Sequence, residues 1–228
     1  MKSFKNELNL ILDFLKLLNL SNNRDWFESN KSKYLEAKLA FEKITEFLMN
    51  EVSTFDRSFI PTKPQDYIFR IYKDVRFSKD KLPYKEQFGA ILTNGGRKSK
   101  YAGYYFHIER DNSMAAGGIY CPEAVELKSV RTEILTNHKK FNEILSEADF
   151  KENFVGLVDI KLKRPPKGFP QDHPQIDLVK YKSYIYSKKF TDNQVLADNF
   201  IEEILNTFKA MKNMNSFINH AIDMIYEQ

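Results

Sequence analysis

Three strand-like segments joined by short turns occupy the middle of the chain, and they constrain its fold more than any other feature. The segments span 87–93, 101–109 and 113–120, and the turns between them contain Asn-Gly-Gly and Asp-Asn. Aromatic and β-branched residues favour strands, and such turn residues favour hairpins. Because no helical segment separates these strands, the pattern predicts an antiparallel meander and not a β-α-β arrangement.

Helical periodicity flanks this region on both sides. The segments in which apolar residues recur every three or four positions are 4–19, 24–52, 122–136, 137–147 and a C-terminal stretch. A capping-box pair, Thr191 and Gln194, precedes that last stretch. Further strand-like segments are 67–73, 157–162 and 181–190. We therefore predict one α+β domain over residues 1–228, with a central, mainly antiparallel sheet and helices from the N- and C-terminal ends packed on it.

The composition excludes several classes of protein. Hydrophobic residues make up 42% of the 228 residues, which is enough for a packed core. The single cysteine, Cys121, excludes an intramolecular disulfide and a cysteine-based zinc site. The net charge of +4, from 35 basic and 31 acidic residues, neither indicates nor excludes nucleic acid as a partner. No apolar stretch approaches ~18 residues and no leader pattern is visible, so we expect no membrane association and a cytoplasmic location.

Five ordered motifs can be recognised along the chain. They are NNRDWF at 22–27, the stretch 70–85, GYYFHIE at 103–109, GGIY with a nearby proline at 117–122, and LKRPPKGF with DHP at 162–174. This set resembles the family of mainly bacterial proteins catalogued as domain of unknown function 2461. The resemblance covers nearly the whole chain. It implies a one-domain protein of this length and does not imply a particular activity.

The stretch 70–85, RIYKDVRFSKDKLPYK, begins like a strand and continues as a charged loop. The candidate ligand-binding cations, including one from the later proline-rich motif, are Arg70, Arg76, Lys79, Lys81, Lys85 and Arg164. Guanidinium groups favour bidentate contacts with carboxylate or phosphate, and lysines add positive charge. The pattern is therefore typical of a site for an anionic ligand. In the alternative interpretation, Asp74, Asp80 and Glu86 pair with these cations on a solvated loop.

Strand alternation places Tyr105, His107 and Glu109 on one face of the segment 101–109. With His173 of the DHP motif, this face could support acid/base chemistry, because imidazole titrates near neutral pH. In the alternative interpretation, the polar side chains only hydrogen-bond one another, and Asp172 caps a short helix that begins at Pro174. The spacing of His107 and Glu109 is too common to predict a metal, and no cofactor is predicted.

These residues support three hypotheses of function. The first is binding of a small phosphate- or carboxylate-bearing ligand by the basic segment, with Tyr105 in the site. The second is a hydrolase or transferase acting on such a substrate, with His107 or His173 as acid/base, Glu109 orienting it and the arginines holding the charge. The third is a protein-interaction domain that uses exposed tyrosines, Tyr184 and Tyr186.

Overall fold

A four-stranded antiparallel sheet forms the centre of the computed structural model, which describes residues 3–74, 76 and 81–226. Its strands are β1 (Gln87–Leu92), β2 (Gly103–Glu109), β3 (Ser113–Ile119) and β4 (Tyr184–Phe190). Strands that follow each other in the chain are neighbours in the sheet, in the order β1-β2-β3-β4. The predicted meander is confirmed, and β4 extends it by one strand.

Helices precede and follow the sheet, which confirms the predicted α+β class. The α-helices of the described residues are α1 (Lys5–Leu20), α2 (Arg24–Ser29), α3 (Lys31–Phe55), α4 (Ala124–Thr136), α5 (His138–Ser146), α6 (Ala148–Asn153), α7 (Asp192–Val195) and α8 (Phe200–Tyr226). The predicted capping box is present at α7, where the Thr191 and Gln194 side chains each accept a hydrogen bond from the other residue's backbone N–H. No helix in the described ranges is long and apolar enough to cross a membrane.

The chain divides into two compact units. Unit 1 comprises residues 1–97, 105–115 and 189–206, and unit 2 comprises residues 98–104, 116–188 and 207–228. The single domain over residues 1–228 stays a prediction.

An aromatic core stabilises unit 1. The rings of Phe14 and Phe88 lie 5.9 Å apart, and Phe41 of α3 stacks on Phe106 of β2 at 5.0 Å. Phe27 stacks on Tyr84 at 3.9 Å and is fully buried. Because aromatic pairs bury large apolar areas and prefer defined geometries, this core fixes the ends of the segments that carry the polar residues described below.

The core of unit 2 is formed by the C-terminal part of α8 and the strands beneath it. Phe208 packs on Tyr104 at 5.3 Å and Phe217 packs on Phe141 at 5.5 Å. Gly118 has a φ of 113°, and a side chain there would meet the backbone carbonyl of Tyr184. This backbone conformation and the close approach of β4 together require glycine.

Several predicted elements differ from the observed ones. The single helix predicted over 24–52 is wrong, because the chain breaks at Asn30 into α2 and α3. The strands predicted over 67–73 and 157–162 are also wrong, because these segments form only isolated bridges with their neighbours. An isolated bridge needs one aligned residue pair, whereas a strand needs a continuous ladder, and propensity does not distinguish the two. The predicted C-terminal helical stretch is the long helix α8, which continues without interruption through residues 213–215.

Candidate functional site

A cleft of about 280 Å³ in unit 1 contains residues from both predicted halves of the site, the basic segment and the polar face of β2. We call it the unit 1 cleft. Its lining residues are Lys73, Leu82, Tyr84, Lys85, Glu86, Gln87 and Glu109. Of the predicted ligand-binding and catalytic residues, Lys85 and Glu109 line the cleft directly.

Backbone hydrogen bonds fold the two ends of the basic segment against each other. The N–H of Lys73 donates to the carbonyl of Pro83 at 2.9 Å, and the N–H of Lys85 donates to that of Ile71 at 2.8 Å. Tyr72 and Tyr84 form an antiparallel bridge between these contacts. The segment therefore returns on itself, which places Lys73 and Lys85 at the same cleft.

Asn22 of the NNRDWF motif holds this turn in place. Its side-chain amide donates to the carbonyl of Tyr84 at 3.0 Å and accepts from the N–H of Tyr84 at 3.2 Å. The same amide donates to the Glu86 carboxylate at 3.4 Å. From the sequence, Asn22 is only a turn or capping residue, because nothing in the sequence shows a contact 62 positions away.

Lys85 lines the cleft and forms no ion pair with a carboxylate of the described residues. Its ammonium is half-buried and lies 5.4 Å from the centre of the Phe69 ring. Burial, and after it the positive charge of Arg70, lower the pKa of Lys85. An anion placed beside Lys85 would offset both unfavourable effects.

The other cations of the basic segment have different surroundings. Arg76 forms a bidentate pair with Asp74, with Nε–Oδ1 at 3.0 Å and Nη2–Oδ2 at 2.7 Å. Hydrogen bonds from Arg76 lower the pKa of Asp74 to about 2. Arg70 and Lys81 are exposed, and Lys79 lies outside the described residues, as does Asp80. For Arg76, the interpretation as an internally paired surface charge therefore holds.

The polar face of β2 forms a chain of hydrogen bonds behind the cleft. Gln87 Nε2 donates to the Tyr105 hydroxyl at 3.3 Å, and that hydroxyl lies 3.0 Å from His107 Nδ1. His107 Nε2 lies 2.8 Å from the carbonyl oxygen of Asn112, which can only accept, so Nε2 carries the proton. The neutral ring therefore accepts at Nδ1 from Tyr105.

Burial sets the protonation states of the histidine and the tyrosine in this chain of hydrogen bonds. His107 is 7% exposed, and its burial lowers the pKa of the imidazole, so the ring is neutral at pH 7. Burial and the nearby Glu109 charge raise the pKa of Tyr105 to about 12. Both ring nitrogens of His107 have partners, so this histidine positions its neighbours and does not itself reach the cleft.

Glu109 is the member of this face that lines the cleft. Its Oε2 accepts from Asn112 Nδ2 at 2.7 Å and lies 3.6 Å from His107 Nε2. Lys189 Nζ donates to Asn112 Oδ1 at 2.9 Å, which fixes the orientation of that amide. In this geometry the Glu109 carboxylate lines the cleft and is held by Asn112. His107 instead hydrogen-bonds the Tyr105 hydroxyl and the Asn112 carbonyl.

Sequence reasoning missed Gln87, Asn112 and Lys189, which complete this arrangement. Asn112 was recognised as a turn residue of the β2–β3 hairpin, and a hairpin turn brings its side chains back over the preceding strand. That signal was available. Lys189 lies 77 residues further along the chain from Asn112, and no local pattern could have found it.

The remaining predicted site residues lie in unit 2. His173 Nδ1 accepts a hydrogen bond from the N–H of Gln175 at 3.1 Å, and its ring meets that of His138 edge-on at 5.3 Å. The predicted cap by Asp172 is wrong, because the short 3-10 helix Ile176–Lys180 begins after Gln175 and has no side-chain cap. Arg164 is exposed. Within the described ranges, no group of three or more His, Cys, Asp or Glu side chains is placed to hold a metal ion.

The burial of two tyrosines of β4 contradicts the third hypothesis of function, which requires them to be exposed. Tyr184 and Tyr186 were predicted to be exposed, but they are 1% and 3% exposed. Tyr184 donates from its hydroxyl to the carbonyl of Leu178 at 2.9 Å, and Tyr186 packs edge-on against Phe150 at 4.8 Å. These rings are part of the unit 2 core, so they cannot form a docking surface.

Comparison with known proteins identifies the family of this chain. The family model described as "Conserved hypothetical protein (DUF2461)" matches residues 10–217, including all five motifs. No curated protein and no solved structure matches the chain. Since the family model covers most of the sequence, the chain belongs to the conserved hypothetical protein family DUF2461.

Proposed function

We propose that this protein binds a small ligand bearing a carboxylate or phosphate group in the unit 1 cleft, with Lys85 as the main cation. The observation that carries the proposal is a half-buried ammonium that lines a cleft and forms no ion pair with a described carboxylate. A buried charge without a partner is costly, and an anionic ligand would provide that partner.

The other charges of the cleft support this assignment. Glu86 accepts from Asn22, and Glu109 accepts from Asn112. Both carboxylates thus have partners of their own, whereas Lys85 forms no ion pair with a described carboxylate, lies over the Phe69 ring and is repelled by Arg70. The cleft volume of about 280 Å³ suits a small ligand. The cytoplasmic location expected from the sequence is part of the same proposal.

Calorimetric titration of the full chain with small carboxylates and sugar phosphates tests this function. Lys85→Met removes the charge but keeps an apolar stem to pack on Phe69. Loss of one charge-assisted contact should weaken binding by about tenfold or more. Lys16→Met, at an exposed position on α1, is the matched control. Equal binding by the two variants would exclude Lys85 as the anchor.

A second candidate function is catalysis by Glu109 as the acid/base of a hydrolase or transferase. The observation that favours it is the fixed carboxylate at the cleft, oriented by Asn112 and close to His107. A positioned carboxylate near a cation can accept or donate a proton in a reaction of a phosphorylated or carboxylated substrate. This proposal keeps the substrate class predicted from the sequence.

The two candidates differ in their response to Glu109→Gln. If the protein is an enzyme, the variant should bind ligand but lose turnover by about 100-fold or more. If it is a binding protein, ligand binding is the only activity and no turnover of phosphate esters or carboxylate esters will be detected in the wild type. Product analysis by NMR after incubation with each ligand separates these results.

A further inference from the structure

A second, larger cavity lies within unit 2, and its lining shares no residue with that of the unit 1 cleft. Its volume is about 620 Å³. One wall is a stripe of α4, and the other is the proline-rich segment of the fifth motif. The lining residues are Lys128, Arg131, Thr132, Leu135, Thr136, Pro166, Lys167, Gly168, Phe169, Pro170 and His173. We call it the unit 2 cavity.

Every ionisable residue that lines the unit 2 cavity is basic. Lys128 and Arg131 come from one wall, and Lys167 and His173 come from the other. The described lining contains no aspartate or glutamate. A concave surface with charges of one sign concentrates the electrostatic potential, so this cavity attracts anions.

Arg131 is the residue that makes this a built site and not a solvated basic surface. It is 7% exposed, and its Nη2 donates to the carbonyl of Tyr181 at 2.9 Å. Its Nε is buried, and among the described residues that atom has no hydrogen-bond partner. In the same part of the chain, no carboxylate forms an ion pair with Arg131. Folded proteins seldom bury a guanidinium without an anion, because desolvation of the charge is costly.

The proline-rich wall of the cavity contributes a hydrogen-bond donor and a stretch of backbone that a ligand can reach. His173 Nδ1 accepts from a backbone N–H, so in the neutral ring the proton is on Nε2, which is then a donor. Gly168 has a φ of 90°, and apart from Gly168 and its two chain neighbours no atom of the described residues lies within 4 Å of the position that a Cβ would occupy. A ligand can therefore approach the backbone at Gly168 closely.

We propose that the unit 2 cavity binds a phosphomonoester that carries an apolar ring. Three cations and an imidazole favour a phosphate, which has a charge of about −1.5 to −2 at pH 7, over a single carboxylate. The apolar part of the lining, Leu135, Pro166, Phe169 and Pro170, would cover the body of the ligand. The half-buried ring of Phe169 lines the cavity and offers a stacking surface for a planar group. The cavity is large enough for a ligand of nucleotide size.

Calorimetry with the full chain tests this site. The probes are adenosine, guanosine, cytidine and uridine monophosphates and phenyl phosphate, each compared with its dephosphorylated counterpart and with inorganic phosphate. At least one ring-bearing phosphate should bind, and the dephosphorylated compound and free phosphate should each bind about tenfold more weakly or worse. If no probe binds with a dissociation constant below ~1 mM, the proposal is overturned.

Two double variants test whether the phosphate probes bind in the unit 2 cavity. Lys128→Gln with Lys167→Gln removes two exposed charges, so folding should be retained, and affinity should fall by about 100-fold. The matched control, Lys139→Gln with Lys140→Gln, changes the same charge at exposed positions of α5 outside the lining and should bind normally. Equal loss in both double variants would mean non-specific attraction and would overturn the proposal.

Lys85→Met separates this site from the unit 1 cleft. If Lys85→Met abolishes binding of the phosphate probes and the Lys128 and Lys167 variant does not, the unit 2 inference fails and the function proposed for unit 1 stands. If only the Lys128 and Lys167 variant loses binding, the unit 2 site is supported. Arg131→Lys then measures the contribution of the guanidinium geometry, with a further loss of about tenfold expected.

Discussion

The unit 1 cleft and the unit 2 cavity both contain basic residues, but they differ in how many of their charged groups have partners within the protein. At the unit 1 cleft, the carboxylates have hydrogen-bond donors within the protein, Asn22 for Glu86 and Asn112 for Glu109. Lys85, in contrast, forms no ion pair with a carboxylate of the described residues. The described lining of the unit 2 cavity contains no acidic residue, and the buried Nε of its most buried cation, Arg131, has no hydrogen-bond partner among the described residues. A network whose polar groups are hydrogen-bonded to one another is expected to stabilise the fold. A group of like charges without partners in the protein is expected to contribute to ligand binding.

The largest effect on stability should come from breaking the network of unit 1. We expect His107→Phe to lower the free energy of unfolding by about 3 kcal/mol, because it leaves the Tyr105 hydroxyl without its acceptor and the Asn112 carbonyl without its donor in a buried site. Urea denaturation of the variant and the wild type measures the difference. Tyr105→Phe removes the contact with His107 and the hydrogen bond from Gln87 but leaves the Asn112 contact, and it should cost about 1 kcal/mol. If both variants cost the same, the hydrogen bonds do not form one network.

Replacement of Arg131 should have a much smaller effect on stability and a large one on binding. We expect Arg131→Met to change the free energy of unfolding of the ligand-free protein by no more than about 1 kcal/mol, since the lost contact to Tyr181 is offset by removal of a buried charge. Binding of the phosphate probes should fall by about 100-fold. Thermal denaturation and calorimetry on the same sample measure both quantities. A destabilisation as large as that of His107→Phe would show that Arg131 is structural, and the contrast between the sites would fail.

The pH dependence of stability provides a third comparison. Burial lowers the pKa of His107 in the folded protein below its ordinary value of 6.5, so the unfolded chain binds a proton more readily. The stabilising contribution of His107 is therefore complete above pH 6.5 and is lost as the pH falls through the pKa of the folded state. Denaturation profiles between pH 4.5 and 8 should show a steeper decline for the wild type than for His107→Gln. Parallel profiles would contradict the buried neutral state of the ring.

The sequence was sufficient to predict the strands of the sheet and the polar face that β2 contributes to the unit 1 cleft. Both depend on patterns among residues that are close together in the chain. Successive residues of a strand point to opposite faces, so the common face of Tyr105, His107 and Glu109 followed from the strand period. The bridge between Tyr72 and Tyr84 and the clamp by Asn22 depend on contacts between distant segments, which periodicity does not encode. The network partner Lys189 depends on the position of β4 in the sheet.

Burial was harder to predict than secondary structure. Arg131 lies between Val130 and Ile134 on α4, and a helix pattern normally assigns an arginine to the solvated side. Tyr184 and Tyr186 have strand propensity, which does not say which face of a strand a second layer covers. The unit 2 cavity therefore could not be recognised before the proline-rich segment was placed beside α4.

The smallest effect is expected for Arg76, which the sequence suggested as an anion-binding residue. Its guanidinium is exposed and forms two side-chain hydrogen bonds with Asp74, so a ligand would have to compete with a partner that is already in place. We expect Arg76→Gln to leave ligand affinity and thermal stability within experimental error, because exposed pairs of this kind are screened by solvent and salt. Arg70→Gln should weaken binding at the unit 1 cleft slightly at low salt, since Arg70 is close enough to lower the pKa of Lys85. Calorimetry at two salt concentrations compares the variants. A larger loss for Arg76→Gln than for Arg70→Gln would mean that the pair with Asp74 opens to the ligand and that the unit 1 site extends further along the basic segment.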